Sequence, residues 1–153
     1  MKQSYSLYEL NEYIRRVIAL NFDEPIWINC EIAQVNEVRG NYYLELVEQD
    51  ETDAIKAQLS AAIWYQNFLF IRNKLGELTQ SILSPGTHIQ VKVKIDFHER
   101  YGMKLLIEDI DPSYTMGRLE MARQKIIERL KKERLLELND HKRMSPVLQS
   151  IAV

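Results

Sequence analysis

Thr87–Ile110, THIQVKVKIDFHERYGMKLLIEDI, is the stretch that decides the fold of this 153-residue chain. From Ile89 the apolar residues fall on every second position, Ile89, Val91, Val93, Ile95 and Phe97, with Gln90, Lys92, Lys94, Asp96 and His98 between them. Strict alternation rich in β-branched residues predicts a strand with one buried and one wet face. Glu99-Arg100-Tyr101-Gly102 breaks the run, and Gly102 supplies a residue able to take positive φ. Met103, Leu105 and Ile107 then alternate with Lys104 and Glu108, so the stretch reads as a β-hairpin. Its wet face carries Lys92, Lys94 and Lys104, and its tip carries Arg100 and Tyr101. Cations on strands beside an aromatic at a loop suit a surface that tracks a phosphodiester backbone and stacks bases. The same pattern also suits a sheet whose lysines only keep it soluble.

Upstream of the hairpin the period alternates between strand and helix. Ser6-Leu7-Tyr8-Glu9 is a capping box, and Leu7, Leu10, Ile14, Val17 and Ile18 follow at helical spacing. An amphipathic helix from Ser6 to about Ala19 is expected, its stripe buried against one end of a small barrel. Ile26, Ile28, Cys30 and Ile32 alternate with Trp27, Asn29 and Glu31 in a first strand that runs towards Val38, bent near Ala33–Val35 where the alternation changes. Arg39-Gly40-Asn41 is a tight turn. Tyr42, Leu44 and Leu46 form the inner face of strand two, with Tyr43 and Glu45 outward. After an acidic loop, Gln49 to Asp53, strand three places Ile55, Ala57, Leu59, Ala61 and Ile63 on one side and Lys56, Gln58 and Ser60 on the other. Tyr65–Leu83 has helical spacing, with an interruption expected at Gly76, and Ser84-Pro85-Gly86 stops it.

Five strands with a helix between the third and fourth is the order of an OB-fold, a Greek-key barrel that binds oligonucleotides on its strand 2–3 face. The expected fold is an all-β core with flanking helices: a helical cap over residues 1–22, the barrel domain over 23–115, and a helical linker from 116. Side chains expected to point inward include Ile28, Ile32, Leu44, Leu59, Val91, Val93 and Leu105. Asp111-Pro112 ends the barrel. Beyond Gly117 a helix carries Leu119, Ala122, Ile126 and Leu130 on one stripe, with Arg118, Lys125, Arg129 and Lys132 mostly on the remainder as a solvated face. Asn139 to Pro146 reads as a loop. Val147–Val153 starts an apolar strand that would be an aggregation hazard if left unpaired, so the chain reads as cut from a longer one.

Composition narrows the class. The chain is 46% hydrophobic and 27% charged, with no low-complexity tract. No apolar run approaches the ~18 residues a membrane span requires, and MKQSYSLYEL lacks the apolar core of a secretory signal. The lone Cys30 has no partner for an internal disulfide and sits in a strand pattern, which suits a reducing cytoplasm. The net charge of −2 is unevenly spread: residues 1–53 hold four basic and eleven acidic side chains, and residues 54–104 hold seven and three. Steering of a polyanion depends on the local field rather than the total.

Catalytic signatures are missing. There is no phosphate-cradling glycine loop, no HExxH and no cysteine pair for zinc, and His88, His98 and His141 lack metal-ligand spacing. Glu48, Asp50, Glu51 and Asp53 lie in or beside a loop, whereas a two-metal site needs carboxylates held on rigid elements. The expectation is no cofactor, no metal and no nuclease activity in this chain.

Several local strings resemble the N-terminal domain of the exodeoxyribonuclease VII large-subunit family. Ser6, Glu9, Leu10 and Asn11 match its Ser-x-x-Glu-Leu-Asn helix start. Trp27, Glu31 and Ile32 match its aromatic and Gly-Glu-Ile strand, with Cys30 in place of the glycine. Gly40-Asn41-Tyr42-Tyr43-Leu44-Glu45-Leu46 echoes its Gly-His-x-Tyr-Phe-x-Leu, departing at Asn41 and Leu44. Ile63-Trp64, Gly102 and Leu105 fit the third strand and the hairpin, and Gly117-Arg118-Leu119, Leu130, Glu133, Leu135, Lys142 and Pro146 follow the family's linker plan. Arg134 and Met144-Ser145 depart from it, and Ile151-Ala152-Val153 looks like the first strand of the catalytic domain.

The resemblance implies an enzyme that degrades single-stranded DNA, assembled from a large subunit and several copies of a small one. It implies that this domain binds DNA and does not cut it. The candidate nucleic-acid-binding residues are Arg39, Tyr43, Lys56, Lys92, Lys94, Arg100, Tyr101 and Lys104. The alternative is an OB domain used for protein docking or assembly, which the acidic first third favours. A basic face with exposed aromatics would support the first reading, and an exposed apolar patch the second.

Overall fold

The alternation that marks the hairpin marks every strand of the barrel. In the computed structural model, which describes residues 2–144 and side chains over 2–136, the strands are β1 Ile26–Val38, β2 Asn41–Gln49, β3 Ile55–Ile63, β4 His88–His98 and β5 Gly102–Asp111. They close in the order β1-β2-β3-β5-β4, and β4 returns to pair with β1. The pairings are antiparallel except between β3 and β5, which run parallel through Ala61↔Leu105 and Ala62↔Leu106. This is the expected five-stranded barrel.

The hairpin turns its apolar face inward: Ile89, Val91, Val93 and Ile107 are fully buried, with Leu105 nearly so, while Met103 beside the tip stays exposed. Ile32, Leu44 and Ile63 meet them from β1, β2 and β3, while Ile28 and Leu59 pack partly buried against the same cluster. Each such side chain removed from water contributes about 1.5–3 kcal/mol before chain entropy is subtracted. β1 bends where its alternation changes, because the register with β2 shifts between Ile32 and Gln34 and leaves Ala33 as a bulge.

Helix α2, Tyr65–Leu75, a 3-10 turn over Gly76–Leu78 and α3, Thr79–Ile82, fill the chain between β3 and β4. Gly76, at φ 59°, makes the break. Phe68, Ile71, Leu75, Ile82 and Leu83 enter the core and plug the barrel. The start of α2 is tied to the β1–β2 turn, where the Tyr65 amide donates to Asn41 Oδ1 at 2.9 Å. Arg39 and Gly40 both have positive φ, 54° and 83°, as a two-residue type I′ turn requires. A Cβ on Gly40 would stand 2.8 Å from the Tyr65 ring, so this position needs glycine for room as well as for its backbone.

Two outer elements differ from expectation. Helix α1, Leu7–Asn21, has its capping box, with the Glu9 amide on Ser6 Oγ at 3.0 Å, but none of its residues is buried. Asn11 Nδ2 donates to the Glu99 carbonyl at 2.8 Å and Arg15 Nε to Glu99 Oε1 at 2.6 Å, polar contacts that tie the helix to the hairpin tip, while Ile14 and Ile18 of the stripe are half-buried. Leu7, Leu10 and Val17 of the expected buried stripe stay exposed. Helix α4, Pro112–Met144, starts five residues before Gly117. Asp111 caps it, accepting from the Ser113 amide at 2.9 Å and the Ser113 hydroxyl at 2.6 Å, and Pro112 takes the first helical position. Those bonds hold the Asp111 carboxyl below its usual range.

The chain divides into two compact units, Met1–Thr115 and Met116–Val153. Over residues 116–136, the described side chains of α4 are exposed, the Leu119, Ala122, Ile126 and Leu130 stripe included. The backbone remains helical through Asn139–Met144, where a loop was expected, because no glycine or proline interrupts it before Pro146. The expected strand at Val147–Val153 lies outside the described residues. Among those described, no helix is long and apolar enough to cross a membrane.

Candidate nucleic-acid interface

A two-residue turn at Arg39-Gly40 fixes which residues face each other across β1 and β2. Asn36 pairs with Tyr43 and Gln34 with Glu45; across β3, Tyr43 pairs with Ala62 and Glu45 with Ser60. All these side chains point out of the barrel. With Leu44, Ala61 and Lys104 of β5 they line a shallow open groove of about 220 Å³ on the β1-β2-β3-β5 face. That is below the ~300–1,000 Å³ of an enclosing small-molecule pocket, and it suits a chain laid across the surface. Ala62, opposite Tyr43, is the small outward residue at its floor, while Leu44 and Ala61 belong to the core beneath it.

Aromatic faces and a cation stand at its rim. Tyr43 meets Trp64 edge to face, with centroids 6.1 Å apart at 81°. Lys104 Nζ lies 4.8 Å from the Trp64 centroid, a cation–π distance. Tyr43 keeps 40% of its surface exposed. Among the described residues that line the groove, Lys104 alone is cationic and Glu45 alone anionic. Glu45 is held by Ser60 Oγ, donating to Oε1 at 2.5 Å, and by Gln58 Nε2, donating to Oε2 at 3.3 Å.

The hairpin tip is a second cluster. His98 Nδ1 accepts from the Arg100 amide at 3.0 Å and the Tyr101 amide at 3.4 Å, which orders the three-residue loop ahead of Gly102 at φ 80°. The His98 and Tyr101 rings lie 4.8 Å apart, the Arg100 guanidinium is 5.3 Å from the Tyr101 centroid, and Tyr101 is 76% exposed. Glu99, beside them, has its carboxyl held below the ordinary range by its own amide first and then by Arg15.

Of the eight residues singled out from sequence, the fold brings Tyr43 and Lys104 into one groove and Arg100 and Tyr101 into one tip. Arg39, Lys56, Lys92 and Lys94 do not line the groove. Arg39 is exposed in its turn. Lys56 lies 3.9 Å from Glu48. Lys92 pairs in register with Trp27 and with Asp109, whose carboxylate already binds Lys74 at 3.1 and 3.2 Å. Lys94 is exposed opposite Leu106. Trp64, Gln34 and Asn36 are additions that sequence reasoning missed. Counting back from the turn would have put Asn36 beside Tyr43, whereas nothing local announces Lys104 against Trp64.

Nucleophile chemistry is disfavoured at Cys30, whose thiol burial pushes up to about 12. Among the described residues no three His, Cys, Asp or Glu side chains gather as a metal site would need.

The chain is similar to several known proteins. The exodeoxyribonuclease 7 large subunit of Deinococcus radiodurans is 30% identical over 135 residues, covering 82% of this chain and 32% of that protein, so the chain spans about a third of its relative's length. Among solved structures, the mitochondrial single-stranded DNA binding protein Rim1 of S. cerevisiae aligns with TM-score 0.41 and 13% identity over 57% of this chain and 91% of that one. Schizosaccharomyces pombe Pot1pC bound to single-stranded DNA aligns with TM-score 0.38 and 9% identity over 59% and 71%. The family model described as OB-fold nucleic acid binding domain matches residues 5–111, which takes in α1 and all five strands of the closed barrel, and the chain belongs to that family.

Proposed function

We propose that the barrel is the single-stranded-DNA-binding module of an exodeoxyribonuclease VII large subunit, delivering DNA to a catalytic part outside this chain and working with a small subunit in a cytoplasmic assembly. The observation that carries this is the set of Tyr43, Trp64 and Lys104 around an open groove on the outer face of the sheet. Bases stack on the aromatics whatever their identity, and Lys104 meets a phosphate. Arg100 and Tyr101 offer the same pair of contacts at the tip, with Lys92, Lys94, Lys56 and Arg39 adding attraction around the barrel. The relationship to the Deinococcus large subunit supplies the enzyme context.

The test is a titration of the chain with labelled single-stranded DNA at several salt concentrations. Weak binding that falls as salt rises is expected, with no cleavage of the strand. Lys92→Ala with Lys94→Ala should weaken every sequence alike and reduce the slope of log K against log salt by about 1.4, since each phosphate contact to a single strand contributes about 0.7. Tyr101→Ala should weaken binding while leaving that slope nearly unchanged. If both variants bind as the parent does, neither the β4 lysines nor the hairpin tip is part of the DNA surface.

A docking or assembly module is the second reading, and one observation favours it. Helix α1 shows Leu7, Tyr8, Tyr13 and Leu20 to solvent, each more than 60% exposed. Absence of DNA binding at low salt would make this the better account.

A further inference from the structure

We infer that Glu45 makes the groove selective among bases, favouring strands that present guanine and disfavouring thymine; this rests on the single-stranded-DNA reading of the same groove. A carboxylate in a surface meant for a polyanion is out of place if the backbone runs over it. Glu45 nevertheless stands among the lining residues, paired in register with Gln34 on one side and Ser60 on the other. Its cationic counterpart, Lys104, lies against Trp64 rather than against the carboxylate. The charges therefore divide the groove. Phosphates are repelled from Glu45 and drawn to Lys104, so a strand laid on Tyr43 and Trp64 turns its base edges towards Glu45.

The carboxylate is fixed for that role. Ser60 Oγ donates to one oxygen at 2.5 Å and Gln58 Nε2 to the other at 3.3 Å. A carboxylate has about four lone-pair sites, so each oxygen keeps capacity for a ligand donor. The bases differ in what they offer it. Guanine presents N1–H and the N2 amino group side by side, a pair that matches two carboxylate oxygens. Cytosine and adenine each present one amino group. Thymine presents a single N3–H flanked by two carbonyl oxygens, which Glu45 repels.

Three labelled strands of one length test this on the unmodified chain: all thymidine, thymidine alternating with guanosine, and thymidine alternating with inosine. Inosine stacks as guanine does but lacks the N2 amino group, so the comparison removes stacking from the difference. The guanosine strand should bind about ten-fold tighter than the all-thymidine strand, the lower range for a bidentate base contact, with the inosine strand between them. Glu45→Gln should reduce the guanosine advantage to less than about two-fold and tighten binding of the all-thymidine strand. Equal binding of the three strands by the parent, or a preference that survives in Glu45→Gln, overturns the inference and leaves single-strand binding standing. Failure to bind any strand at low salt overturns both.

Discussion

Replacing Ile71 with alanine is expected to cost about 2–5 kcal/mol, the range for emptying a packed aliphatic site. Ile71 is fully buried on α2, where it enters the cluster formed by the inward faces of the strands. Domains of this size hold only about 5–15 kcal/mol in total, so the loss is a large part of the stability. A urea titration followed by tryptophan fluorescence reads it as a lower midpoint with little change of slope. Phe70, its neighbour in sequence, is 57% exposed, and Phe70→Ala should move the midpoint only slightly. Similar shifts for the two would mean that α2 does not plug the barrel.

Loss of Tyr43 and Trp64 together should abolish measurable binding of single-stranded DNA. Each stacked base contributes about 1–3 kcal/mol, and the groove offers two aromatic faces within 6.1 Å of one another. Removing Trp64 also frees Lys104 from the ring it lies on, so Trp64→Ala alone should weaken binding more than Tyr43→Ala alone. Fluorescence anisotropy with a labelled strand measures both, and far-ultraviolet circular dichroism checks that the barrel persists. Parent-like affinity in the double variant would move the DNA surface elsewhere.

Much of the barrel was legible because burial in a sheet writes itself into sequence at period two. Ile89, Val91 and Val93 were readable as inward before any pairing was known, and the break in period near Ala33 located the bulge. Gly76 marked the interruption of α2 for the same local reason. The outer surface was less readable. A lysine's partner comes from another element: Glu48 beside Lys56 is decided by strand register, and Asp109 beside Lys74 by how α2 packs on β5. The amphipathic period of α1 implied a buried stripe, yet only Ile14 and Ile18 of it are half-buried, and Asn11 and Arg15 reach Glu99 through contacts across more than eighty residues that no local pattern carries. Trp64 shows the same limit, since it was noticed only as the end of a strand while its use depends on Lys104 forty residues on.

The parallel meeting of β3 and β5 through Ala61↔Leu105 and Ala62↔Leu106 is the shortest seam of the barrel. A closed cylinder has no free edge to recruit another chain's strand, and this seam is where such an edge would appear. Opening there would part fewer ladder bonds than opening any other pairing of the sheet. Ala62 also floors the groove, with Lys104 on the far side of the join. A strand bound across Tyr43 and Lys104 would bridge the seam as a stitch bridges a cut, and the amide protons beneath it would exchange more slowly with solvent.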